Sequence, residues 1–524
     1  MGANHIVRSQ NDIRDLEGQI ARLNKIGIAL SAEHDLNRLL NMIVREARHF
    51  TNSDGGSLYI REGDKLNFIV AQTESLESLN GRRPSFKSSY LPLTKESIAG
   101  YVAITGDILN INDAYLIPPT VEYRLNKDFD NLFGYRTKSM LVVPMRDHED
   151  EIIGVLQLIN SVDDKNQVLP FKPAYETLIA SLASQAGVAI QNARLIEEIR
   201  KLFRSLVRYS AKAIDARSPH TAGHSGRVAK YSVRLMEAIN DEKNGRFGGV
   251  FFSEQELEEM LMAGWLHDIG KIGVREAVLD KENKLNSDHV DAIINRFENI
   301  RAYELLRTER EKVQLALEGE LTSQRMKDVD ALLEQKQADI TDDLAFILRV
   351  NVPGPFTEDD KKRLKKIAEK TYIDLNKDKH YYLTAFEYEN LSVKRGNLTI
   401  SEYREIQSHV DKTLEILDNI PFTKDLQNIP RYAAAHHEML DGSGYPRGLK
   451  GDEIPLCGRI MAVCDIYDAL TASDRPYKKA MPIDKSLAIL QDEASRGRLD
   501  PDLVNLFIEK RLFDRTSLLD DDED

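Results

Sequence analysis

The chain has 524 residues, of which 42% are hydrophobic and 30% are charged, and its formal net charge is -14 at pH 7. A globular chain of this length exceeds what one hydrophobic core usually supports, so we expect two or more domains. The negative charge argues against a nucleic-acid polymer as partner, because phosphate binding needs a basic surface, whereas a small anionic ligand is still compatible if metal ions offset the charge locally.

The apolar runs, the N-terminal sequence and the cysteines indicate the cellular compartment of the protein. No apolar run approaches the roughly 18 to 20 residues that cross a bilayer, and the N-terminus lacks the apolar core of a signal peptide. The only cysteines, Cys457 and Cys464, argue against a disulfide framework and against a cysteine-ligated zinc site. We therefore expect a cytoplasmic protein that makes no use of a membrane.

The first third of the chain predicts a helix followed by an α+β domain. Residues 1–33 carry apolar side chains at helical spacing, and residues 34–192 contain a helical segment at 36–50. The segments 56–60, 66–70, 139–143 and 152–159 are rich in β-branched and apolar residues and are separated by polar turns. They indicate an antiparallel sheet flanked by helices, of the size of a sensor domain.

A long helix is predicted over residues 174–214, where an apolar stripe continues without a proline or glycine after Gly187. About 40 helical residues would reach roughly 60 Å at 1.5 Å per residue. Such a helix connects domains or pairs with a second copy of itself, and a parallel homodimer is the economical hypothesis. The alternative is a single helix that folds back on its own domain.

From residue 211 to residue 513 the pattern is almost wholly helical, and an acidic tail follows at 514–524. Within it, residues 286–397 contain highly charged helical segments at 303–336 and 358–370, with a break at 353–355. We interpret 286–397 as a solvated helical insertion with a small core of its own. A lid over a neighbouring site, or a contact with the sensor domain, is the alternative.

Histidine and aspartate recur in this helical region in a way that suits metal ions. The chain has only 12 histidines, and the apolar-patterned helices carry a set of these two residue types: His267, Asp268, His409, His436, His437 and Asp465. Imidazoles and carboxylates without cysteine favour Fe, Mn, Co or Zn over Mg or Ca, and a carboxylate can bridge two ions. Two bridged ions suit hydrolysis at phosphorus. The alternative is a set of histidines satisfied within a helical core.

Two sequence blocks resemble a known family. His-Asp-Ile-Gly-Lys at 267–271 and His-His-Glu-Met-Leu-Asp-Gly-Ser-Gly-Tyr-Pro at 436–446 are similar to the signature of HD-GYP phosphodiesterases. The match continues with Asp-Ile-Tyr-Asp-Ala-Leu-Thr at 465–471 and Asp-Arg-Pro-Tyr-Lys at 474–478, so the resemblance covers 211–285 and 398–510. It implies an all-α HD-type metallohydrolase domain that hydrolyses cyclic di-GMP to pGpG, with a second step to GMP open.

The resemblance also implies roles for residues. One metal would be held by His224, His267, Asp268 and Asp465, and a second, bridged by Asp268, by His409, His436 and His437. Asp268 and Lys271 would act at the phosphate, and Tyr445, Arg475 and Lys478 would bind the substrate. Iron or manganese is the expected metal. Another cyclic dinucleotide such as cyclic GMP-AMP, or a catalytically quiet signalling scaffold that binds a cyclic dinucleotide, is the alternative.

The sequence departs from the family in three places. His220 stands where some members have a glutamate that helps to bind a third metal, so either two or three ions are compatible with the sequence. Arg275 replaces a usual proline and adds a cation near the site. The third departure is the insertion 286–397, which begins after Lys284 and ends near Thr399, just before His409.

Residues 34–192 resemble a GAF domain, on the segments 97–103, 109–115 and 134–145. The run Asn-Lys-Asp-Phe at 126–129 matches part of the cyclic-nucleotide motif of phosphodiesterase GAF domains. The resemblance implies a small-molecule sensor, with cyclic AMP or cyclic GMP as one hypothesis. An unknown ligand, or no ligand and a purely dimerising role, is left open.

Overall fold

The computed structural model describes residues 18, 20–33, 35–76, 89–216, 223–472 and 480–514. The chain divides into two compact units, residues 1–203 and 204–524. The first unit is an α+β domain and the second is mainly helical, as expected from the sequence. In the described ranges, no helix is long and apolar enough to cross a membrane.

The first unit is built on one antiparallel sheet whose strand order is β3-β2-β1-β6-β5-β4, with β7 paired to β6. The strands are β1 Ser53–Glu62, β2 Lys65–Thr73, β3 Ser89–Pro92, β4 Leu109–Ile111, β5 Met140–Arg146, β6 Ile152–Val162 and β7 Val168–Leu169. The predicted strand segments 56–60, 66–70 and 152–159 lie within β1, β2 and β6, and the segment 139–143 begins one residue before β5. Since β1 and β6 are central, most of their residues are buried.

Helices cover both faces of this sheet. The first unit contributes a helix at residues 20–32, which lies within the predicted N-terminal helix 1–33, and the helices Leu36–Thr51, Ile98–Thr105, Asp128–Phe133 and Pro173–Asp215, the last of which continues into the second unit. One core lies between the sheet, the helix Leu36–Thr51 and the first half of the long helix. A second core lies on the opposite face, under Ile98–Thr105. The predicted helix 174–214 agrees with Pro173–Asp215 because no residue after Gly187 interrupts its apolar stripe.

The second unit contains the remaining helices of the described chain. They span His224–Asp241, Glu254–Leu266, Glu276–Leu279, Ser287–Leu317, Ser323–Asn351, Glu358–Glu369, Ala385–Leu391, Ile400–Gln407, His409–Asp418, Ile429–Ala433, Leu456–Thr471, Ile483–Ser495 and Pro501–Glu509. A short hairpin, β8 Thr371–Ile373 and β9 Lys379–Tyr381, lies among them. Tyr231, Tyr467 and Phe507 pack edge to face among the helices of this unit.

The insertion has its own hydrophobic core, whose buried members all lie between Leu285 and Leu391. One expectation for this segment is wrong: residues 303–336 do not form one helix. The chain turns at Gly319, which has a φ of 72°, and Thr322 caps the next helix through its side chain. Glycine adopts this conformation without steric cost, so the turn is stable between the two helices. The sequence pattern also did not predict the hairpin β8–β9, which the structure shows.

Candidate metal centre

Helix ends bring the predicted ligands together. His224 is the first residue of its helix, and His409 is the first residue of another. His267 and Asp268 follow the last turn of Glu254–Leu266, and Lys271 lies in the short 3-10 helix Ile269–Gly273 behind them. The sequence pattern predicted His267 and Asp268 inside a helix, so this detail is wrong.

His436 and His437 also lie outside a helix. The helix Ile429–Ala433 ends before them, and a turn over 434–437 carries both imidazoles. Asp465 is the member of the set that lies well inside a helix, Leu456–Thr471. A turn lets adjacent side chains point the same way, whereas adjacent helical positions diverge by about 100°.

Close backbone packing holds these ends in place. A Cβ on Gly270 would lie 2.0 Å from the carbonyl oxygen of His409, so only glycine allows the 3-10 helix to approach so near. The hydroxyl of Thr413 accepts a hydrogen bond from the Gly270 N–H at 2.9 Å and donates one to the His267 carbonyl at 3.1 Å. The segment 267–273 is thereby fixed against the start of the helix His409–Asp418.

Asp268 lies at the centre of the cluster and is 4% exposed. Its Oδ1 lies 3.2 Å from Nε2 of His409 and 4.0 Å from Nε2 of His436. Its Oδ2 lies 3.3 Å from Nε2 of His267 and 3.7 Å from Nε2 of His224. Each carboxylate oxygen therefore faces a different pair of imidazoles, which is the arrangement that a bridging carboxylate needs.

The remaining members complete two groups. Asp465 Oδ1 lies 3.1 Å from Nε2 of His224, and its Oδ2 lies 3.8 Å from Nδ1 of His437. Potential ligand atoms lie within 4.8 Å of one another in each of three sets: His224 with His267 and Asp465, His267 with Asp268 and His436, and His409 with His436 and His437. The structure thus brings together all seven predicted ligands.

The orientation of the imidazoles fits metal binding. Nδ1 of His267, His409 and His436 lies 2.6 to 2.7 Å from a backbone carbonyl oxygen three residues earlier, so in the neutral ring Nδ1 carries the proton and Nε2 presents its lone pair. Among the described residues, these three Nε2 atoms and Oδ1 of Asp268 are buried without a hydrogen-bond partner. Buried polar atoms are rarely left unpaired, and here four of them converge. The donor set of nitrogen and oxygen atoms fits divalent transition metals.

His224 is oriented by a different partner. Its Nδ1 lies 2.8 Å from Oδ2 of Asp468, a fully buried carboxylate. Arg227 donates to both oxygens of Asp468, from Nε at 2.7 Å and from Nη2 at 3.1 Å. A carboxylate behind a histidine fixes the ring and increases its strength as a ligand.

Burial and charge set the protonation of the histidines. Burial lowers the pKa of His436 well below its ordinary value and lowers the pKa of His437 to about 4, so both rings are neutral near pH 7. Burial also opposes the charged form of His224, but hydrogen bonds to two aspartates outweigh it and raise its pKa to about 10. Loading a metal on His224 would therefore release a proton.

Asp268 and Lys271 form a charged pair inside the site. Burial opposes ionisation of Asp268, yet the Lys271 ammonium and the neighbouring histidines hold its pKa well below the usual range. Burial likewise opposes the charged form of Lys271, and Asp268, at 2.5 Å, raises its pKa. The carboxylate is anionic and the ammonium is cationic at neutral pH.

Tyr445 borders the imidazoles. Its ring centroid lies 4.7 Å from that of His437 at an interplanar angle of 34°, and burial raises the pKa of its hydroxyl. Arg275, the departure expected to add a cation, donates to both carboxylate oxygens of Glu405, so a neighbouring negative charge balances its positive charge. His220, Arg475 and Lys478 lie outside the described residues.

Sequence reasoning missed three residues that support the site. Asp468 stands three positions after Asp465, so it shares a helix face with a predicted ligand, and this spacing was a usable signal. Glu438 directly follows the predicted pair of histidines, and its carboxylate accepts backbone hydrogen bonds from the loop beyond. Thr413 had no signal, because its partners are backbone atoms distant in sequence.

Family models match three segments of the chain. A GAF domain model matches residues 35–190, and two HD domain models match residues 221–347 and 387–503. The seven clustered side chains all lie within the two HD matches.

Curated relatives match shorter segments. The 3'3'-cGAMP-specific phosphodiesterase 3 of Vibrio cholerae is 48% identical over 110 residues, which cover 21% of this chain and 23% of that protein. The 3'3'-cGAMP-specific phosphodiesterase 1 of the same organism is 35% identical, covering 27% and 34% respectively. The cyclic di-GMP phosphodiesterase response regulator RpfG of Xanthomonas campestris is 41% identical, covering 24% and 32%. The chain thus spans about a quarter to a third of the length of these relatives.

Proposed function

We propose that this chain, which carries a GAF domain followed by an HD domain, is a metal-dependent phosphodiesterase that hydrolyses cyclic di-GMP to pGpG, with GMP as the product of a second cleavage. The observation that carries the proposal is the convergence of seven histidine and aspartate side chains, with Asp268 at their centre and four buried ligand atoms left unpaired. We propose His224, His267, Asp268, His409, His436, His437 and Asp465 as the ligands of two ions, iron or manganese. Metal analysis distinguishes two ions per chain from three, and a third ion would assign His220 as a further ligand.

Bound metal ions would supply Lewis-acid stabilisation of the phosphate charge and a nucleophilic water at neutral pH. The chain's own residues do the rest. Asp268, held anionic, presents one carboxylate oxygen to each histidine group and so would contribute a ligand to each ion. Lys271, held cationic at the same carboxylate, presents its ammonium to a non-bridging phosphate oxygen. Neutral His436 and His437 bring lone pairs without a proton to displace.

We propose that Tyr445 binds the substrate beside the metal ligands. Its ring already lies against His437, so a guanine base or a ribose that contacts Tyr445 would hold the scissile phosphate near the ions. Arg475 and Lys478 are proposed phosphate and guanine contacts on the basis of the sequence motif alone.

A second candidate substrate is 3'3'-cyclic GMP-AMP, because relatives of that name match the chain at 48% and 35% identity. Purified protein loaded anaerobically with Fe or Mn would be given each cyclic dinucleotide, and products would be separated by chromatography. A higher kcat/KM for cyclic di-GMP would support the main proposal. A higher kcat/KM for cyclic GMP-AMP would show that cyclic GMP-AMP is the preferred substrate. Tight binding without turnover of either would instead support a quiet scaffold.

We propose that the GAF domain regulates the enzyme through a cavity of about 360 Å³ in the first unit. Asn126, Asp128 and Phe129 line it, together with the aromatic rings of Tyr59 and Phe68. These residues include part of the predicted cyclic-nucleotide run, which makes cyclic AMP or cyclic GMP the first ligands to test. Calorimetry on dialysed protein that shows heat with neither nucleotide would reject both.

We also propose a cytoplasmic homodimer. Both cysteines are free, as expected in a reducing compartment. On the helix Pro173–Asp215, a stripe of exposed apolar side chains recurs at spacings of three and four from Leu195 onward, with one spacing of seven before it, which is the heptad pattern of a coiled coil: Val188, Leu195, Ile199, Leu202, Leu206 and Tyr209. Asn192 is exposed in line with this stripe, at a position where a polar residue selects register in paired helices.

Light scattering tests the dimer. Ile199→Glu places a charge in the stripe and should give a monomer, whereas Arg200→Glu, on the adjacent exposed position, should not change the mass. A wild-type monomer at micromolar concentration would refute the dimer.

A further inference from the structure

The loop that carries Tyr445, residues 438–451, is closed at its base by backbone contacts. Asp441 and Lys450 form an isolated antiparallel bridge, and the Gly451 N–H donates to the Leu440 carbonyl at 3.1 Å. Between these ends the chain makes an excursion that brings Tyr445 to the metal ligands. We name residues 438–451 the Tyr445 loop.

A buried carboxylate holds the inside of this loop. Glu438 is 3% exposed, and one carboxylate oxygen accepts the Arg447 N–H at 2.8 Å while the other accepts the Leu449 N–H at 2.9 Å. Hydrogen bonds to a charged acceptor are about twice as strong as neutral ones. Arg447 and Leu449 follow Tyr445 in the chain, so these two bonds tie the part of the loop after Tyr445 to Glu438, the residue next to His437.

The part of the loop that leads to Tyr445 is also constrained. The Tyr445 N–H donates to the His437 carbonyl at 3.1 Å. A Cβ on Gly444 would lie 2.3 Å from the Met439 nitrogen, so the backbone passes Met439 at a distance that only glycine permits. Because Arg447 and Leu449 are tied to Glu438, the ring of Tyr445 is confined against His437.

We infer that Glu438 is a positioning residue for the substrate: it fixes Tyr445 through the loop and contacts neither substrate nor metal. The inference rests on the proposed function. A carboxylate suits this role because it offers two acceptor oxygens and no donor to two N–H groups. Glutamine would keep one acceptor oxygen but would present an N–H to the second backbone amide. One of the two hydrogen bonds to Arg447 and Leu449 would therefore be lost.

The test compares Glu438→Gln with Glu453→Gln, a matched control. Glu453 also accepts a backbone N–H of the Tyr445 loop, from Lys450 at 2.9 Å, but it lies exposed at the base. We expect Glu438→Gln to raise the KM for the cyclic dinucleotide roughly tenfold or more, with a smaller change in kcat and with the metal content of wild type. Glu453→Gln should keep KM within about twofold of wild type, because an exposed hydrogen bond contributes little.

Two further measurements separate positioning from a general structural role. Hydrogen exchange at the Arg447 and Leu449 amides should be at least tenfold faster in Glu438→Gln and unchanged in Glu453→Gln. The KM effect should also be non-additive with Tyr445→Ala, since both substitutions remove the same contact.

The contrary outcomes are distinct. Faster exchange with an unchanged KM, a KM effect additive with Tyr445→Ala, or a loss of metal that matches the loss of rate would each overturn the role of Glu438. If wild-type protein hydrolyses no cyclic dinucleotide, the proposed function fails first, and this inference fails with it.

Discussion

Asp468→Asn isolates the support that a buried carboxylate gives to one metal ligand. Asp468 is fully buried, and its oxygens face His224 Nδ1 at 2.8 Å and the Arg227 guanidinium at 2.7 and 3.1 Å. Asparagine has nearly the same shape, so the substitution removes charge without leaving a cavity. It removes the carboxylate charge that the Arg227 guanidinium contacts, and that side chain is only 21% exposed.

The expected magnitudes follow from these contacts. Breaking a buried ion pair by neutralising one partner costs about 3 kcal/mol or more of folding free energy. Loss of the group behind a ligating histidine typically lowers metal affinity by roughly 10- to 100-fold. We expect both effects in Asp468→Asn, while Asp452→Asn, whose side chain is 94% exposed beside Arg459, should change stability by less than about 0.5 kcal/mol.

The assay uses the single tryptophan of the chain, Trp265, which lies two residues before His267. Its fluorescence reports unfolding of the helical unit in urea, and competition with a chelator gives the metal affinity. Stability and metal affinity both equal to those of wild type in Asp468→Asn would refute the account of His224. A loss of stability alone would make Asp468 a folding residue and not a support of the metal ligand.

Three further expectations concern packing, thiol reactivity and pH. Gly270→Ala should unfold or lose metal, because its Cβ would overlap a backbone carbonyl at 2.0 Å, whereas Gly249→Ala has open space and should match wild type in thermal denaturation and metal analysis. Burial raises the pKa of Cys457 and Cys464 to about 12, so both stay protonated at pH 8 and should react with a thiol reagent only after unfolding; rapid reaction of the native protein would contradict this. In the insertion, burial opposes ionisation of Glu387, but hydrogen bonds from its arginine partner hold its pKa below the ordinary 4.5. The stabilisation is thus present above pH 4.5 and is lost as the pH falls through the lowered pKa of the folded state. Glu387→Gln should therefore speed hydrogen exchange of residues 287–391 at pH 7, and its difference from wild type should shrink as the pH falls below 4.5.

Much of the fold could be predicted because its patterns are local. The stripe in 174–214 and the apolar runs of β1, β2, β5 and β6 have clear periods, and the structure places elements there. The break at Gly319 was missed because charged residues on both sides favour helix, and a single glycine is a weak signal against them. Hairpin β8–β9 was missed because its three-residue strands are too short to show alternation.

The candidate site was predictable in membership but not in geometry. The sequence motifs named seven residues that the structure brings together, with Asp268 at their centre. It could not show that His267, Asp268, His436 and His437 follow helix ends, because helix boundaries depend on tertiary packing such as the contact at Gly270. Supporting residues whose partners are backbone atoms, Thr413 and Glu438 among them, carry no pattern that identifies their role.

The central claim is tested most directly by measuring bound metal and cyclic di-GMP turnover in the same samples of wild type, Asp268→Ala and Asp452→Ala, purified anaerobically. We predict about two ions per wild-type chain, with turnover proportional to metal content, and the same for the exposed control Asp452→Ala. Asp268→Ala should lose at least one ion and at least roughly a thousandfold in rate, as loss of several kcal/mol of transition-state stabilisation requires. Wild-type-like turnover in Asp268→Ala, or turnover in fully metal-free wild type, would contradict the account.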